Sequence, residues 1–166
     1  KIFGGFRTGT APAEDIVDPT MPSGRRVVIV DKPERTQTQI YAGGLGNRVG
    51  EPLVFPLLVA NTAYGGTFTS RLMQAVRADK GWSYGARSSF AYGRGPGAFQ
   101  AGGGIVTAKS DSALIAFMGH LKGAQGTVPF TADEIEQGKG SLVQGLVNRF
   151  GSVGAVGNSV ATIYSQ

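Results

Sequence analysis

Short β-branched runs and polar–apolar alternation predict β-strands in two parts of the chain. Residues 26–30 (RVVIV) form a run typical of a buried strand. Residues 36–41 (TQTQIY) alternate as a second strand or as its continuation, ended by a pair of glycines. Residues 82–92 and 98–107 alternate on either side of a glycine-rich turn, so they predict a β-hairpin.

Two helices are predicted between the first strands and the hairpin. The first covers residues 51–64, with Pro52 and Pro56 near its start, where backbone N–H groups lack intrahelical partners. The second covers residues 70–80, with Ser70 as its cap and a glycine after its last turn.

A third helix is predicted to begin at Ser110 or Asp111 and to run to about Gly123. Its apolar positions recur at helical spacing, which places them on one face. These positions are Leu114, Ile115, Met118 and Leu121.

A capping box predicts the start of the next helix. Thr131 and Glu134 stand in the Thr-x-x-Glu pattern ahead of an apolar series that runs through Leu142 to Val147. Residues 153–164 predict a last helix. The predicted elements follow the order strand, helix, helix, hairpin, helix, helix. This order predicts an α+β fold, with helices packed mainly on one face of an antiparallel or mixed sheet.

Composition limits the chemistry that this chain can perform. With 166 residues and 41% hydrophobic content, the chain suits one domain with a core. The absence of cysteine excludes disulfides, thiolate catalysis and cysteine-based zinc sites. His120 is the single histidine, and it has no acidic residue near it in the sequence, so we expect no catalytic zinc in this chain.

Charge and hydropathy argue against two classes of partner. The net charge is +5, but the basic residues are dispersed and their densest cluster is only Arg25-Arg26, so we expect no nucleic acid. No apolar run approaches the length of about 18 residues that spans a membrane. The composition suits cytosol or periplasm, and we favour a bacterial periplasmic location.

Residues 61–90 carry a fairly specific pattern. Its elements are Gly65-Gly66, Phe68, Ser70-Arg71-Leu72, Arg77, Gly81 and Tyr84. This pattern resembles the second, zinc-free half-domain of the insulinase, pitrilysin and mitochondrial processing peptidase family of zinc metallopeptidases. The resemblance extends to residues 24–43, which look like the opening strand of that domain, and to residues 130–146, which look like a later helix.

The resemblance implies a clamshell enzyme made of two similar halves. One half carries zinc on a His-x-x-Glu-His motif, which this chain lacks. The other half supplies an Arg, and a Tyr seven residues later, to bind the substrate carbonyl and its oxyanion. Arg77 and Tyr84 match that spacing, with Arg77 in the last helical turn and Tyr84 early in the next strand. The partners implied are a zinc-bearing half-domain, in the same polypeptide or a separate subunit, and a peptide substrate.

Simpler explanations exist for the same residues. A cation near a helix C-terminus is favourable by about 0.3–1 kcal/mol without any catalysis. The aromatic side chains Phe68, Trp82 and Phe90 either line a peptide-binding surface or pack in the core. For Arg71, next to the capping position, we expect a structural ion pair. The triple glycine at 102–104 lies in a strand and lacks the Lys-Ser/Thr of a phosphate loop.

By the same resemblance, residues 1–24 are the connector after the zinc-bearing half. Residues 25–166 are then the zinc-free half-domain, which ordinarily continues with another strand and helices, so we expect an open or partner-covered sheet edge. The alternatives are a non-catalytic structural subunit, as in the core proteins of respiratory complexes, and a generic α+β binding domain. A His-x-x-Glu-His motif upstream of Lys1 would decide for a single-chain peptidase.

Overall fold

A computed structural model describes residues 5, 9–10, 15–24, 28, 33–93 and 95–165. Within these residues the order of elements is strand, helix, helix, hairpin and three helices. The predicted strand at 26–30 lies, apart from residue 28, outside the described residues.

The described strands form one antiparallel sheet in the order β1-β3-β2. They are β1 (Gln37–Leu45), β2 (Ala86–Phe90) and β3 (Ala98–Val106). The predicted hairpin is therefore confirmed as β2 and β3. However, β1 does not end at the glycine pair, because Gly43 and Gly44 stay in register with Gln100 and Phe99. Gly43 fits there because a Cβ would lie only 2.7 Å from the Phe99 carbonyl oxygen.

The described residues form five α-helices, which pack mainly on one face of the sheet. They are α1 (Val54–Asn61), α2 (Arg71–Met73), α3 (Ser110–Lys122), α4 (Ala132–Arg149) and α5 (Val153–Ser165). The first three continue into wider π-helical turns at Thr62–Gly66, Gln74–Ala78 and Gly123–Thr127. Pro56 falls in the first turn of α1, as predicted, where its missing N–H costs no helical hydrogen bond.

Apolar side chains from the helices cover one face of the sheet. The buried cluster consists of Ile40, Tyr64, Leu72, Val76, Ala86, Ala101, Ile105, Ala113 and Phe117. The opposite face carries polar and exposed side chains such as Gln39, Arg87 and Gln100. An α+β fold with an antiparallel sheet and helices on one face is therefore confirmed.

The buried face of α3 differs from the predicted one. Ala113 and Phe117 are fully buried and Leu121 packs beside them, which follows a spacing of four residues. Three of the residues expected on the inner face are exposed, namely Leu114, Ile115 and Met118. Because residues 113–118 (ALIAFM) are apolar all round the helix, spacing alone cannot select the face that meets the sheet.

Ser70 occupies the predicted N-cap position of α2 but forms no side-chain capping bond, and the N-cap of α3 is Lys109, so the cap expected at Ser110 or Asp111 is wrong. The capping box of α4 is confirmed. The hydroxyl of Ser70 donates to the Thr67 carbonyl at 2.7 Å, and that of Ser110 donates to the Thr107 carbonyl at 2.8 Å. Each serine therefore closes the preceding turn instead of accepting from its helix. At α4, the Glu134 N–H donates to the Thr131 hydroxyl at 3.2 Å, and the Thr131 N–H donates to the Glu134 carboxylate at 2.8 Å.

Arg71 joins the start of α2 to the start of α4. Its guanidinium donates twice to the Glu134 carboxylate, at 2.8 Å from Nε and 2.6 Å from Nη2. It also donates to the carbonyls of Val128 and Pro129, at 2.7 and 3.0 Å, and lies 4.7 Å from the centre of the Phe130 ring. The structural ion pair expected for Arg71 is confirmed.

The charge of Glu134 is stabilised by these contacts. Hydrogen bonds from the Arg71 guanidinium, opposed by partial burial and aided by the Thr131 N–H, lower the pKa of Glu134 from 4.5 to about 2. One carboxylate thus serves both the ion pair and the helix cap.

The end of α1 approaches β2 very closely. The Ser88 hydroxyl donates to the Asn61 side-chain oxygen at 2.7 Å, and the Asn61 amide donates to the Ser88 carbonyl at 3.3 Å. Gly65 lies directly on this strand, where a Cβ would collide with the Ser88 hydroxyl and stand 2.6 Å from its backbone nitrogen. Only glycine lets the π-helical turn reach the sheet here.

We expect Gly65→Ala to lower the free energy of unfolding by about 1–3 kcal/mol, because the neighbour is backbone and cannot move away cheaply. Gly140→Ala is the matched control, since Gly140 lies in α4 with nothing within 4 Å of a built Cβ. It should stabilise the chain by about 0.5–1 kcal/mol. Urea denaturation measures both, and equal stability of the Gly65 variant and the wild type would refute the close contact.

Acid should weaken the link between Arg71 and Glu134. The folded pKa of Glu134, about 2, lies below its ordinary value, so its stabilising effect is complete above about pH 4.5 and is lost toward pH 2. Glu134→Gln should cost about 1 kcal/mol at pH 7 and progressively less in acid, as thermal melts between pH 7 and pH 2.5 would show. Glu136→Gln removes an exposed pair with Lys139 and serves as the control, with little effect at any pH.

Candidate functional site

Arg77 is carried on the π-helical turn that follows α2. Leu72 and Val76 anchor this short segment in the core, so the next side chain, Arg77, faces outward and is exposed. The Gly81 N–H closes the segment on the Arg77 carbonyl at 3.0 Å. Gly81 has a φ of +63°, a left-handed conformation that glycine adopts without strain.

The Arg77 guanidinium lies over the ring of Phe68, 4.4 Å from its centre. Phe68 is itself 62% exposed, in the loop between the end of α1 and the start of α2. This cation–π contact orients the guanidinium plane without using its N–H donors. Among the described residues no carboxylate pairs with Arg77, so its donors remain available.

Tyr84 lies in a turn before β2, not early in the strand as predicted. The Ser83 hydroxyl lies 2.6 Å from the Gly104 carbonyl oxygen and 2.8 Å from that of Gly85, which share its single hydrogen, and it accepts from the Gly85 N–H at 3.0 Å. These bonds replace ladder pairing, which begins only at Ala86. As a result Tyr84 stands on the outside of the turn with its side chain 87% exposed.

A groove of about 580 Å³ runs over the open face of the sheet. We call it the sheet-face groove; its floor is the backbone of Gly102–Gly104, and its sides include Tyr41, Phe68, Tyr84 and Arg87. Tyr84 lines the groove, and Arg77 lies beside it through its contact with the groove residue Phe68.

The three aromatic residues proposed for substrate binding lie in three different environments in the structure. Phe68 lines the sheet-face groove. Trp82 is half-buried against the core, with the Lys80 ammonium 5.8 Å from its ring. Phe90 packs on Phe99 at a centroid distance of 4.9 Å and does not line the groove. Contact of these side chains with a substrate stays a prediction.

A second, apolar pocket of about 400 Å³ lies beside Tyr64, Phe90 and Phe130. The Tyr64 hydroxyl is buried and has no hydrogen-bond partner among the described residues. Burial raises the pKa of Tyr64 to about 12, against a smaller opposite effect of Arg71. Tyr64 is therefore neutral at ordinary pH and unsuited to proton transfer.

Several residues of the sheet-face groove were not predicted from the sequence. Arg87 follows buried Ala86 and precedes buried Ser88, so strand alternation alone turns it to the open face. Gly102 and Gly104 share that face by the same rule, and glycine within a strand often marks close approach of another chain. The alternation around Arg87 and the glycines within the strand are both visible in the sequence alone.

The residues of this chain do not suit a zinc site. Within the described residues, no three or more His, Cys, Asp or Glu side chains converge on a point that could hold a metal ion. The only histidine, His120, lies half-buried late in α3. In the part of the chain that the structure describes, no helix combines the length and apolarity needed to cross a membrane.

Three crystal structures share this fold. A peptidase M16 inactive domain from Pseudomonas fluorescens is 24% identical, with a TM-score of 0.62, over 66% of this chain and 26% of that one. A conserved protein from Enterococcus faecalis V583 is 22% identical, with a TM-score of 0.67, over 77% and 30%. A protein provisionally described as a zinc protease, from Bordetella pertussis Tohama I, is 21% identical, with a TM-score of 0.66, over 81% and 74%.

Sequence comparison points to the same family. The uncharacterized zinc protease YmxG of Bacillus subtilis (strain 168) is 42% identical over 53 residues, which is 32% of this chain but only 13% of YmxG. The family model of the peptidase M16 inactive domain matches residues 1–142. That match covers most of the 166 residues and includes the whole pattern at 61–90. The chain therefore belongs to the M16 family of zinc proteases, as its inactive domain.

Proposed function

We propose that this chain is the substrate-binding and oxyanion-stabilising half of a zinc metalloendopeptidase, with the zinc held by another half-domain or subunit. In this proposal residues 25–166 form the half-domain and residues 1–24 connect it to its partner half. The observation that carries the proposal is that Tyr84, which lines the sheet-face groove, and Arg77, which rests on the groove residue Phe68, are both exposed.

The two side chains suit the charge that develops during peptide hydrolysis. As the carbonyl carbon becomes tetrahedral, its oxygen gains negative charge, and donors fixed beforehand stabilise it without reorganisation. Arg77 offers a permanent cation with several N–H donors, and Tyr84 offers a hydroxyl. The contact with Phe68 supports this role, because it holds the guanidinium plane while leaving its edges open.

Exposure of the pair explains why a second half would be needed. In open water a hydrogen bond to a carbonyl competes with solvent and contributes little, whereas exclusion of water strengthens each charge interaction. A partner half that covers the sheet-face groove would exclude that water. This couples enclosure of the substrate to its hydrolysis.

We expect the isolated chain neither to hydrolyse peptides nor to bind zinc tightly, because it lacks a set of zinc ligands. Equilibrium dialysis with zinc and a fluorogenic peptide assay would test this, with the chain plus its zinc-bearing half as the positive control. Chelator-sensitive cleavage by the isolated chain that survives repurification would refute the expectation.

In the assembled peptidase, we expect Arg77→Ala and Tyr84→Phe to lower kcat about 100- to 1000-fold each, which is the effect of removing one oxyanion donor. Arg77→Lys should restore only part of the rate, because an ammonium does not reproduce the forked donors. Steady-state kinetics measures these effects. Arg149→Ala, at the exposed end of α4, is the control and should leave kcat unchanged.

The structural alternative makes a different forecast for the same variants. If Arg77 merely complements a helix terminus, Arg77→Ala should lower stability by under about 1 kcal/mol and spare turnover. Unchanged kcat in both variants would remove the proposed role, and a structural or assembly subunit would then be the better explanation. Thermal melts of each variant separate loss of turnover from loss of fold.

A further inference from the structure

The sheet-face groove carries one charge. Arg87 is the only charged side chain among the residues that line it, and none of those residues is acidic. The remaining polar lining consists of amide and hydroxyl groups, such as those of Gln39, Ser89 and Gln100. Neutral donors and acceptors beside an uncompensated cation form an environment that favours an anionic group.

Arg87 has space beside it because of the register of the sheet. Tyr41, Gly102 and Arg87 form one row across the three strands, with glycine on the central strand. Two strand spacings separate the outer Cα atoms of this row by about 10 Å. Tyr41 leans over Gly102, since a Cβ there would meet its ring, so one wall is aromatic and the other is the Arg87 side chain.

The guanidinium of Arg87 is uncommitted. Arg87 is exposed on β2, and among the described residues it takes part in no hydrogen bond, ion pair or ring contact. Arg71, in contrast, is paired with Glu134 and two carbonyls. A planar guanidinium binds a carboxylate through two parallel hydrogen bonds, which an ammonium cannot do.

Arg87 is also close to the proposed reaction centre. It follows Tyr84 by three residues, which limits the distance between their Cα atoms to about 10 Å. An extended peptide advances by about 3.3 Å per residue. A substrate carbonyl at Tyr84 therefore places Arg87 within about three residues of that carbonyl.

We infer that the sheet-face groove binds an extended peptide segment that bears an acidic side chain, with its carboxylate on Arg87, within about three residues of the scissile bond. The position relative to the scissile bond rests on the proposed function. Recognition of the carboxylate does not, because it needs only the groove and Arg87.

Direct binding to the isolated chain tests this without any turnover. Two fluorescent peptides identical except for one Glu or Gln would be titrated by anisotropy, while amide chemical shifts of Ser89 and Gly102 report on the groove. The Glu peptide should bind about three to five times more tightly in low salt, as an exposed charge pair allows. The difference should largely disappear at 1 M salt, where the Debye length is about 3 Å.

Variants assign the preference to one residue. Arg87→Gln should abolish it, and Arg87→Glu should reverse it in favour of a Lys peptide, while thermal melts confirm that each variant is folded. Arg149→Glu makes the same change in net charge on α4, away from the groove, and should retain the preference. Equal affinities for Glu and Gln peptides in the wild type, or an undiminished preference in Arg87→Gln, would overturn the inference.

The same variants distinguish this inference from the proposed function. In the assembled peptidase, Arg87→Gln should lower kcat/KM for the Glu peptide three- to fivefold and leave that for the Gln peptide unchanged. Arg77→Ala should reduce turnover of both peptides and keep the Glu preference in binding. If Arg77→Ala spares turnover, the proposed function fails, whereas loss of carboxylate recognition is judged by the binding titrations alone.

Discussion

The ion pair between Arg71 and Glu134 is the interaction on which the candidate site depends. It ties the first residue of α2 to the first turn of α4 and to the carbonyls of the loop before it. A helix of three residues has almost no stability of its own, because nucleation is costly and few hydrogen bonds follow. Burial of Leu72 and Val76 in the core fixes this segment, while the contacts of Arg71 fix its first residue.

The two faces of the sheet differ in what they carry. One face is covered by helices and contains the buried apolar cluster, whereas the other carries the sheet-face groove. Arginines on the two sides illustrate the difference. Arg71 satisfies its donors within the protein, but Arg77 and Arg87 keep theirs directed outward among the described residues. Among the described residues no carboxylate pairs with Arg77 or Arg87, which leaves their N–H donors free for the ligand binding proposed above.

Local patterns predicted the elements of the fold but not every contact between them. The hairpin and the capping box at Thr131 depend on neighbours in the sequence, and both were correct. The prediction of the buried face of α3 was wrong, because apolar residues lie on all sides of this helix. The face that contains Phe117 is the one that packs on the sheet. The predicted position of Tyr84 within the strand was wrong, because the Ser83 hydroxyl bonds to the Gly104 carbonyl, a contact between residues distant in the sequence.

The residues of the candidate site were proposed in part from the sequence. Arg77 and Tyr84 were proposed because they match the spacing of a pair in the family that residues 61–90 resemble, and Phe68 belongs to the same pattern. Arg87 and the glycine floor could be assigned to a face by alternation, yet only the pairing of β1 with β3 brings Tyr41 opposite Gly102. Register between strands that are far apart in the sequence is not fixed by either strand alone.

The connector between Arg77 and Tyr84, which includes the Ser83 turn, determines where Tyr84 lies relative to Arg77. Tyr84 precedes the paired part of β2, but Trp82 is held on both sides, because its N–H donates to the Val76 carbonyl at 3.1 Å and its carbonyl accepts from the Val106 N–H at 2.9 Å. The interval is set by a connector that leaves the helix through Gly81 and closes on a serine hydroxyl. Insertion or deletion of one residue between Arg77 and Tyr84 would therefore disturb the bonds of Trp82 and Ser83 and change the position of the Tyr84 phenol relative to Arg77. The seven-residue spacing is therefore the length of this connector. A related chain with a longer or shorter connector would keep the fold but not the relative position of Arg77 and Tyr84.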